Sequence, residues 1–496
     1  MKRKLSVVNS IFLFILIFIV YVSYWLKSTF YNIKFEGILY IITHREGGNN
    51  DAVVYDFIVA FIIFIALILV LLFINWISIK LNKQLVLNIN CFKRSKRLVI
   101  YPISFGKVNN VLNKVIVKIV LILITIVYFG YSFKVIDFIK HKTSISMIYE
   151  ERYVSPDSIS IVFPKVKRNL IYINLESMES SYSNYLNDNL ISNLEVISSE
   201  NISFSNNESF GGLYQANLTD WTMASLVGQT TGIPFNIPID DNAYGKYQEF
   251  LPGIISLGEI LEEENYNQVF MIGSNADFGS RRQYYTQKGN YEIWDYLKAK
   301  ELKRIDKDYF VFWGYEDKKL FEFAKDKLNE LYEMNEPFNL TLLTVDTHFF
   351  DGYVDSECEL KYDVSYANAI LCSDKKIKEF IDWIKLQPFY ENTTIILVGD
   401  HLTMNNNFLN DNSDRKIYNA IINSPIKTNN TKNRIATVLD LFPTTLASLG
   451  VEIEGNRLGL GTNLFSNEKT IGEEMGFEEF NGELIKNSKY YAKFLK

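Results

Sequence analysis

The sequence predicts an α/β protein in which N-terminal transmembrane helices precede a large domain with a mostly parallel sheet flanked by helices. Three long apolar segments near the amino terminus indicate the membrane helices. Further along, short runs of Ile, Leu and Val end in polar residues, a pattern typical of strands covered on both faces. We therefore expect a membrane domain at residues 1–133, a connector at 134–165 and the large domain at 166–496.

The composition limits the classes of partner. The net charge is −6, so the chain lacks the basic footprint of a nucleic-acid-binding protein. Of the three cysteines, Cys91 lies in a basic loop, whereas Cys358 and Cys372 lie in the large domain. In an oxidising compartment Cys358 and Cys372 could form a disulfide, and two free thiols are the alternative.

Each of the three apolar segments is long enough to cross a membrane. They run from about residues 7 to 26, 57 to 79 and 115 to 133, and a spanning helix needs about 20 mostly apolar residues. The first segment ends in Tyr-Trp-Leu-Lys rather than in a small-residue cleavage motif. It is therefore not expected to be a removable signal peptide.

The distribution of basic residues predicts the orientation of these segments. The amino terminus begins Met-Lys-Arg-Lys, and the loop between the first and second segments carries only Lys27, Lys34 and Arg45. The loop between the second and third segments is far more basic, with Lys80, Lys83, Lys93, Arg94, Lys96, Arg97, Lys107 and Lys114. Because basic segments stay in the cytoplasm, we expect the amino terminus and the second loop on the cytoplasmic side. Three crossings then place the large domain outside the cytoplasm. The lysines between residues 134 and 142 run against this tendency.

Asp400 and His401 follow directly after the apolar run at residues 394–399. In open α/β sheets, ligands gather outside the carboxyl ends of the strands. A carboxylate beside an imidazole at such a strand end therefore indicates a metal site. The alternative interpretation is a capping aspartate followed by a hydrogen-bonded histidine.

Two further junctions carry polar groups of the same kind. Glu176 directly follows the apolar run at residues 170–175, and Thr222 precedes a short helical pattern. The alternatives are an acid favoured by a helix dipole and an ordinary N-cap. In the functional interpretation, the Thr222 hydroxyl lies where a helix N-terminus favours an alkoxide and a phosphate oxygen. A bound metal would make that hydroxyl a nucleophile.

A fourth junction follows the apolar run at residues 340–345 and consists of Asp346, Thr347 and His348. His348 could donate a proton to a leaving oxygen or hold a phosphate oxygen, and the alternative is an ordinary loop histidine.

Four of these side chains together offer three oxygens and one nitrogen to a metal: Glu176, Thr222, Asp400 and His401. That donor set suits Mn²⁺ or Zn²⁺ better than a metal that prefers thiolates.

The motifs resemble the sulfatase-like branch of the alkaline phosphatase superfamily. Glu176 lies in Leu-Glu-Ser, Thr222 lies ten residues before Gly232, and Asp400 and His401 follow a glycine. Within the superfamily the chain is similar to the membrane-anchored phosphoglycerol transferases over roughly residues 168 to 465. The segments that carry this similarity are Asp346-Thr347-His348, Cys358 to Asp374, Gly399 to Asn405 and Asp440 to Thr444.

The resemblance implies roles for individual residues. It implies four ligands of one divalent metal, Mn²⁺ first and Zn²⁺ as the alternative: Glu176, Thr222, Asp400 and His401. Thr222 would also be the nucleophile, and His348 would contact the substrate or assist proton transfer. Arg281 resembles the arginine that binds the lipid head group, although Arg282 is adjacent. A guanidinium suits a bidentate phosphate clamp, and a surface arginine is the alternative.

The resemblance also implies an activity. We expect transfer of phosphoglycerol from phosphatidylglycerol to a hydroxyl of a periplasmic or cell-surface glycan, with release of diacylglycerol, at the bacterial cytoplasmic membrane. Sulfate-ester hydrolysis is not expected, because Thr222 is followed by Met-Ala-Ser-Leu and the sulfatase motif Cys/Ser-X-Pro-X-Arg is absent. The alternatives are a phosphoethanolamine transferase, a phosphodiesterase or phosphatase, and a non-catalytic receptor or scaffold.

Overall fold

The computed structural model describes residues 2–29, 35, 38, 50–91, 94–103, 105–236, 249–349, 351–405, 408–409 and 414–496. The calls on Lys34, Arg45 and Lys93 lie outside these residues. The chain divides into two compact units, residues 1–139 and 140–496.

The N-terminal unit contains three helices that are long and apolar enough to cross a membrane. These stretches are Val7–Ser28, Phe57–Lys80 and Val115–Ser132, close to the predicted segments. The helices of this unit are α1 Lys2–Thr29, α2 Asn50–Lys80, α3 Phe105–Leu112, α4 Val115–Ser132 and α5 Val135–Thr143, which continues past residue 139. The predicted basic loop contains an antiparallel hairpin of β1 Leu85–Cys91 and β2 Arg94–Tyr101.

The large unit alternates helices and strands. Its helices are α6 Ile148–Arg152, α7 Ser192–Glu200, α8 Thr222–Thr231, α9 Leu257–Glu263, α10 Arg281–Gln287, α11 Tyr296–Glu301, α12 Asp317–Glu333, α13 Ser365–Lys385, α14 Leu441–Ser448, α15 Ile471–Met475 and α16 Phe477–Leu484. Its strands are β3 Ile161–Val162, β4 Asn169–Leu175, β5 Asn267–Ile272, β6 Glu292–Trp294, β7 Phe338–Leu343, β8 Thr393–Gly399, β9 Asn419–Ile422, β10 Glu452–Ile453, β11 Arg457–Leu458 and β12 Gly461–Thr462. Short 3₁₀ turns occupy Pro156–Ser158, Ser180–Asn184, Phe278–Ser280, Tyr390–Asn392, Val438–Asp440, Glu454–Asn456 and Tyr491–Lys493.

Six of these strands form the central sheet, in the order β6-β5-β7-β4-β8-β9. All neighbouring pairs are parallel except β8 and β9, which are antiparallel. Parallel strands covered by helices on both faces read as continuous apolar runs rather than as alternating patterns. The predicted α/β class with a mostly parallel sheet is therefore confirmed.

The two faces of the sheet bury separate groups of side chains. On β4, Ile171 and Ile173 join a cluster that includes Phe380 of α13. The intervening Leu170 and Tyr172 join a second cluster that contains residues of α14. Successive side chains of a strand point to opposite faces, so β4 is covered on both sides and its polar end opens only at the carboxyl edge of the sheet.

Cys358 and Cys372 form a disulfide. It joins the segment that follows β7 to helix α13, so the chain beyond His348 is fastened to a buried helix. The sequence left open whether Cys358 and Cys372 are bonded, and in the structure the disulfide is formed.

Candidate active site

The ends of β4 and β8 bring two of the predicted ligands side by side. The strands are parallel neighbours, and Leu175 lies opposite Gly399 in the register. Glu176 and Asp400 are the next residues of each strand and therefore emerge together at the carboxyl edge. Position 399 must be glycine, because a Cβ atom there would lie 1.9 Å from the Met178 carbonyl oxygen.

The four predicted metal ligands converge in the structure. Ligand atoms of Glu176, Asp400 and His401 all lie within 4.8 Å of one another, and all three residues are buried. The Thr222 hydroxyl lies 3.4 Å from Glu176 Oε2 and 3.4 Å from His401 Nε2. His401 Nε2 lies 3.4 Å from Asp400 Oδ2. One cation in this space would be within reach of three oxygens and one nitrogen.

Helix α8 places the hydroxyl of Thr222. Thr222 is the first residue of the helix, while its N-cap is Trp221, whose side chain makes no capping bond. The Thr222 hydroxyl faces Glu176 and His401 instead. The ordinary N-cap interpretation of Thr222 is thus not what the structure shows.

Backbone hydrogen bonds fix the Asp400 carboxylate and leave one oxygen free. Asp400 Oδ1 accepts the N–H groups of Ser177 and His401, each at 2.7 Å. The second oxygen, Oδ2, is buried and has no hydrogen-bond donor among the described residues. A buried polar atom without a partner costs free energy, and a metal ion would satisfy it. His401 Nδ1 lies 2.9 Å from the Leu402 carbonyl, which leaves Nε2 for the site.

The electrostatics of the site favour a cation. Burial alone would raise the pKa of Glu176, but its interactions with the nearby His348 and His401 side chains lower the pKa below its usual range. Burial and the neighbouring Glu176 carboxylate raise the pKa of Asp400 to about 7. Two adjacent buried carboxylates repel each other when both are ionised. The donor set and its charge therefore fit a divalent metal.

His348 lies in the loop after β7 and is half-buried. Its Nδ1 lies 2.7 Å from the Phe349 carbonyl oxygen, and its ring lies 4.6 Å from that of Trp313. Burial lowers the pKa of His348 below its usual range, although the Glu176 carboxylate opposes this. Burial therefore favours the neutral imidazole over the charged form.

The two adjacent arginines, Arg281 and Arg282, make different contacts in the structure. Arg281 is buried, its Nη2 donates to the Asn275 carbonyl oxygen at 3.2 Å, and its Nε has no partner among the described residues. Burial lowers the pKa of Arg281 to about 10, while the charge of Glu176 opposes this. Arg282 instead bonds to Asp277 and Asp295, each at 2.5 Å. Arg281 is thus the guanidinium available to the site.

An aromatic wall of Phe278, Trp313 and His348 was not predicted from the sequence. The Phe278 ring lies 5.7 Å from Trp313 and 5.2 Å from the Arg281 guanidinium. The loop that carries Trp313 is held at the end of β5, because the Tyr315 N–H donates to the Gly273 carbonyl oxygen at 2.9 Å. This contact places Trp313 beside the site. No motif in the sequence marks Trp313, because its position depends on this tertiary contact.

A partly buried ion pair supports the loops behind the candidate metal ligands. Arg415 donates to both oxygens of Glu179, at 2.8 and 2.6 Å, and to the Thr403 carbonyl oxygen at 2.8 Å. The Thr403 N–H also donates to Glu179 at 3.1 Å. These bonds join the segment after Glu176 to the segment after His401 and so stabilise their relative position.

Comparisons with known proteins agree with this architecture. A family model described as sulfatase matches residues 168–451. Phosphoglycerol transferase I of Citrobacter koseri is 32% identical over 301 residues, which are 57% of this chain and 38% of that protein. The chain thus spans less than half the length of the curated relatives that it matches.

Two solved structures share the fold. A protein in the alkaline phosphatase superfamily from Vibrio parahaemolyticus has a TM-score of 0.52 and 19% identity, over 65% of this chain and 76% of that chain. The lipoteichoic acid synthase LtaP from Listeria monocytogenes has a TM-score of 0.50 and 20% identity, over 62% of this chain and 79% of that chain.

The sheet and the groups gathered at its carboxyl edge form an α/β fold that is also found in a protein of the alkaline phosphatase superfamily. The family match covers more than half of the chain, so the protein belongs to the sulfatase family. The resemblance noted in the sequence is confirmed at this level.

Proposed function

We propose that the protein transfers phosphoglycerol from phosphatidylglycerol to a glycan hydroxyl on the outer side of the bacterial cytoplasmic membrane. The observation that carries this proposal is the Thr222 hydroxyl, which lies 3.4 Å from both Glu176 and His401 at the first turn of a helix. The similarity to phosphoglycerol transferase I supports the transferred group. A chain with three membrane-crossing helices also stays with a lipid donor that does not leave the membrane.

Glu176, Thr222, Asp400 and His401 would hold one divalent metal ion, with Mn²⁺ as the first candidate and Zn²⁺ as the second. When bound, the metal would lower the pKa of the Thr222 hydroxyl and offset the charge of the phosphate. Arg281 would bind the non-bridging oxygens of the phosphate from the other side.

In the first half-reaction, Thr222 Oγ1 forms a bond to phosphorus as the bond between phosphorus and the diacylglycerol oxygen breaks. The Thr222 hydroxyl proton passes by way of His348 Nε2 to that leaving oxygen, so diacylglycerol departs neutral. A neutral resting imidazole is the form that can accept this proton. The result is a phosphoglyceryl group on Thr222.

In the second half-reaction, the acceptor hydroxyl attacks phosphorus and the bond to Thr222 Oγ1 breaks. His348 takes the acceptor proton and returns it to Thr222. The acceptor gains phosphoglycerol, and the enzyme recovers its starting protonation state. Helix α8 stabilises negative charge at Thr222 in both steps, because its free N–H groups and dipole face the phosphate.

The charges beside Arg281 favour a glycerol head group over ethanolamine. An ammonium group would need a free carboxylate, yet Asp277 and Asp295 are both already paired with Arg282. Arg281 itself would repel an ammonium group.

Vesicles that contain both phosphatidylglycerol and phosphatidylethanolamine test this function. With the full-length protein, Mn²⁺ and a glycan pool, we expect diacylglycerol to form from phosphatidylglycerol and glycans to gain the mass of glycerol phosphate. Gain of ethanolamine phosphate would instead identify a phosphoethanolamine transferase. Release of glycerol phosphate into water regardless of glycan would identify a phosphodiesterase, and no cleavage of either lipid would indicate a receptor or scaffold.

Replacing Arg281 with lysine should weaken donor binding. Lysine keeps the charge but loses the planar fork that holds two phosphate oxygens, so we expect KM for phosphatidylglycerol to rise about tenfold or more. Arg282→Lys is the matched control, because Arg282 is engaged with Asp277 and Asp295. Initial rates over a range of lipid mole fractions measure both variants. An equal rise in KM for both would contradict the assignment of Arg281.

The pH dependence of kcat/KM should report the protonation of His348. Because burial lowers its pKa from the usual 6.5, the imidazole stays neutral at pH 7 and gains a proton only on further acidification. We expect kcat/KM to hold steady near neutrality and to fall with an acid limb below pH 6.5. His348→Gln should lower kcat by about 10²-fold to 10⁴-fold and remove that limb, with unchanged Mn²⁺ affinity. An unaltered profile in the variant would exclude this role.

A further inference from the structure

Three consecutive hydrogen bonds run through the core towards Asp400. The Tyr172 hydroxyl donates to Gln229 Oε1 at 2.9 Å, and Gln229 Nε2 donates to Ser225 Oγ at 3.0 Å. The Ser225 hydroxyl then donates to the main-chain carbonyl oxygen of Asp400. Every donor in this chain points towards Asp400, so the bonds polarise one another in the same direction.

These four residues are sealed from water. Tyr172 is 2% exposed, while Ser225, Gln229 and Asp400 are 0% exposed. Water therefore does not compete for the bonds, and each lost partner would leave a buried polar atom unsatisfied. A fully buried glutamine is unusual in a folded protein, and here both ends of its amide are used.

The chain of bonds connects the three elements that carry the candidate metal ligands. Tyr172 lies on β4, which ends at Glu176. Ser225 and Gln229 lie on α8, whose first residue is Thr222. Asp400 directly follows β8. Ser225 lies three residues after Thr222 on the same face of the helix, so its bond to Asp400 ties the turn that carries Thr222 to the end of β8.

Other hydroxyls on the same helix make different contacts, and that of Thr230 lies 2.5 Å from the Tyr284 hydroxyl of helix α10. The Thr231 hydroxyl donates to the Val227 carbonyl oxygen within its own helix, at 2.7 Å. Ser and Thr hydroxyls inside helices commonly bond to the backbone carbonyl one turn earlier in this way. Ser225 departs from this pattern by bonding to another element, at the residue that supplies a metal ligand.

We propose that Tyr172, Gln229 and Ser225 are positioning residues, which hold the Thr222 hydroxyl at a fixed distance from Glu176, Asp400 and His401. Their effect on turnover rests on the proposed function. Their effect on metal affinity rests only on the geometry of the site.

Two single variants and one control test this inference in the full-length protein. Ser225→Ala removes the last bond, and Tyr172→Phe removes the first without touching a candidate ligand. Thr231→Val removes a buried hydroxyl of the same helix whose bond stays within the helix. Mn²⁺ affinity is measured by competition with a fluorescent chelator, kcat and KM with phosphatidylglycerol vesicles, and stability by thermal melting.

We expect Ser225→Ala to weaken Mn²⁺ binding about tenfold and to lower kcat by at least that factor, since partners of metal ligands typically matter by 10-fold to 100-fold. KM should stay within about twofold, because all three side chains are buried and out of reach of a bound lipid. Tyr172→Phe should act in the same direction, and the double variant should lose less than the product of the two single losses. Thr231→Val should change neither Mn²⁺ affinity nor kcat.

Equal Mn²⁺ affinity in wild type, Ser225→Ala and Tyr172→Phe would overturn the proposal, as would equal losses in Thr231→Val. If the wild type cleaves no lipid, the proposed function fails while the affinity comparison still decides this inference.

Discussion

Replacing Thr222 with alanine is expected to abolish cleavage of phosphatidylglycerol. Alanine keeps the helix but removes the only atom that can form the bond to phosphorus in the proposed reaction. Loss of a nucleophile elsewhere lowers kcat by up to about 10⁶-fold, and we expect at least about 10³-fold here. Release of labelled diacylglycerol from vesicles, with Mn²⁺ and an acceptor present, measures the effect.

Thr231→Val is the control for this variant, because it alters a buried threonine of the same helix away from the ligands. It should melt at a lower temperature yet cleave lipid at a rate close to that of the wild type. Unchanged diacylglycerol release by Thr222→Ala would remove the nucleophile from this account.

The second large effect is expected from Asp400→Asn on metal binding. Asp400 Oδ1 accepts two N–H groups, so the amide oxygen of asparagine should take that place. The NH₂ group would then occupy the position of Oδ2, where it cannot bind a cation. We expect Mn²⁺ affinity to fall at least about 100-fold, as measured by chelator competition.

The same substitution should stabilise the metal-free protein at alkaline pH. The pKa of Asp400 is raised from 3.8 to about 7, so the folded state holds its proton more tightly than the unfolded state. The free energy of unfolding therefore falls as the pH rises from 3.8 to about 7. Above that range, the buried Asp400 charge destabilises the folded state by its full amount. Asp400→Asn removes this charge, so the variant should melt above the metal-free wild type at pH 8. The difference should vanish near pH 4.

Asp374→Asn provides the control for Asp400→Asn. Asp374 is also a buried carboxylate that accepts backbone N–H groups, from Asn193 and Leu194. It should affect stability without changing Mn²⁺ affinity. Wild-type Mn²⁺ affinity in Asp400→Asn would contradict the metal site.

The sequence predicted the parts of the site that lie at strand ends. Glu176 and Asp400 follow continuous apolar runs, and such runs identify buried parallel strands whose carboxyl ends share one edge. Their identity as neighbours depends on the strand order, in which β4 pairs directly with β8. That order is a property of the whole sheet and is not visible in either run.

Tertiary contacts decided what the sequence left open. Arg281 and Arg282 have the same neighbours in sequence, and only the pairing of Arg282 with Asp277 and Asp295 separates them. Trp313 and Gln229 carry no local signal, because ordinary core residues occur in the same patterns. The disulfide likewise depends on how α13 lies against the segment after β7. Side chains that act through distant partners are therefore the ones that sequence reasoning missed.

Mass spectrometry of an acid-quenched reaction tests the central claim most directly. The full-length protein is mixed with phosphatidylglycerol vesicles and Mn²⁺ without acceptor, quenched and digested. The account predicts that the peptide containing Thr222 gains the mass of glycerol phosphate, and that the adduct disappears when a glycan acceptor is added before the quench. Diacylglycerol release with no adduct on Thr222, or with an adduct on a different residue, would contradict it.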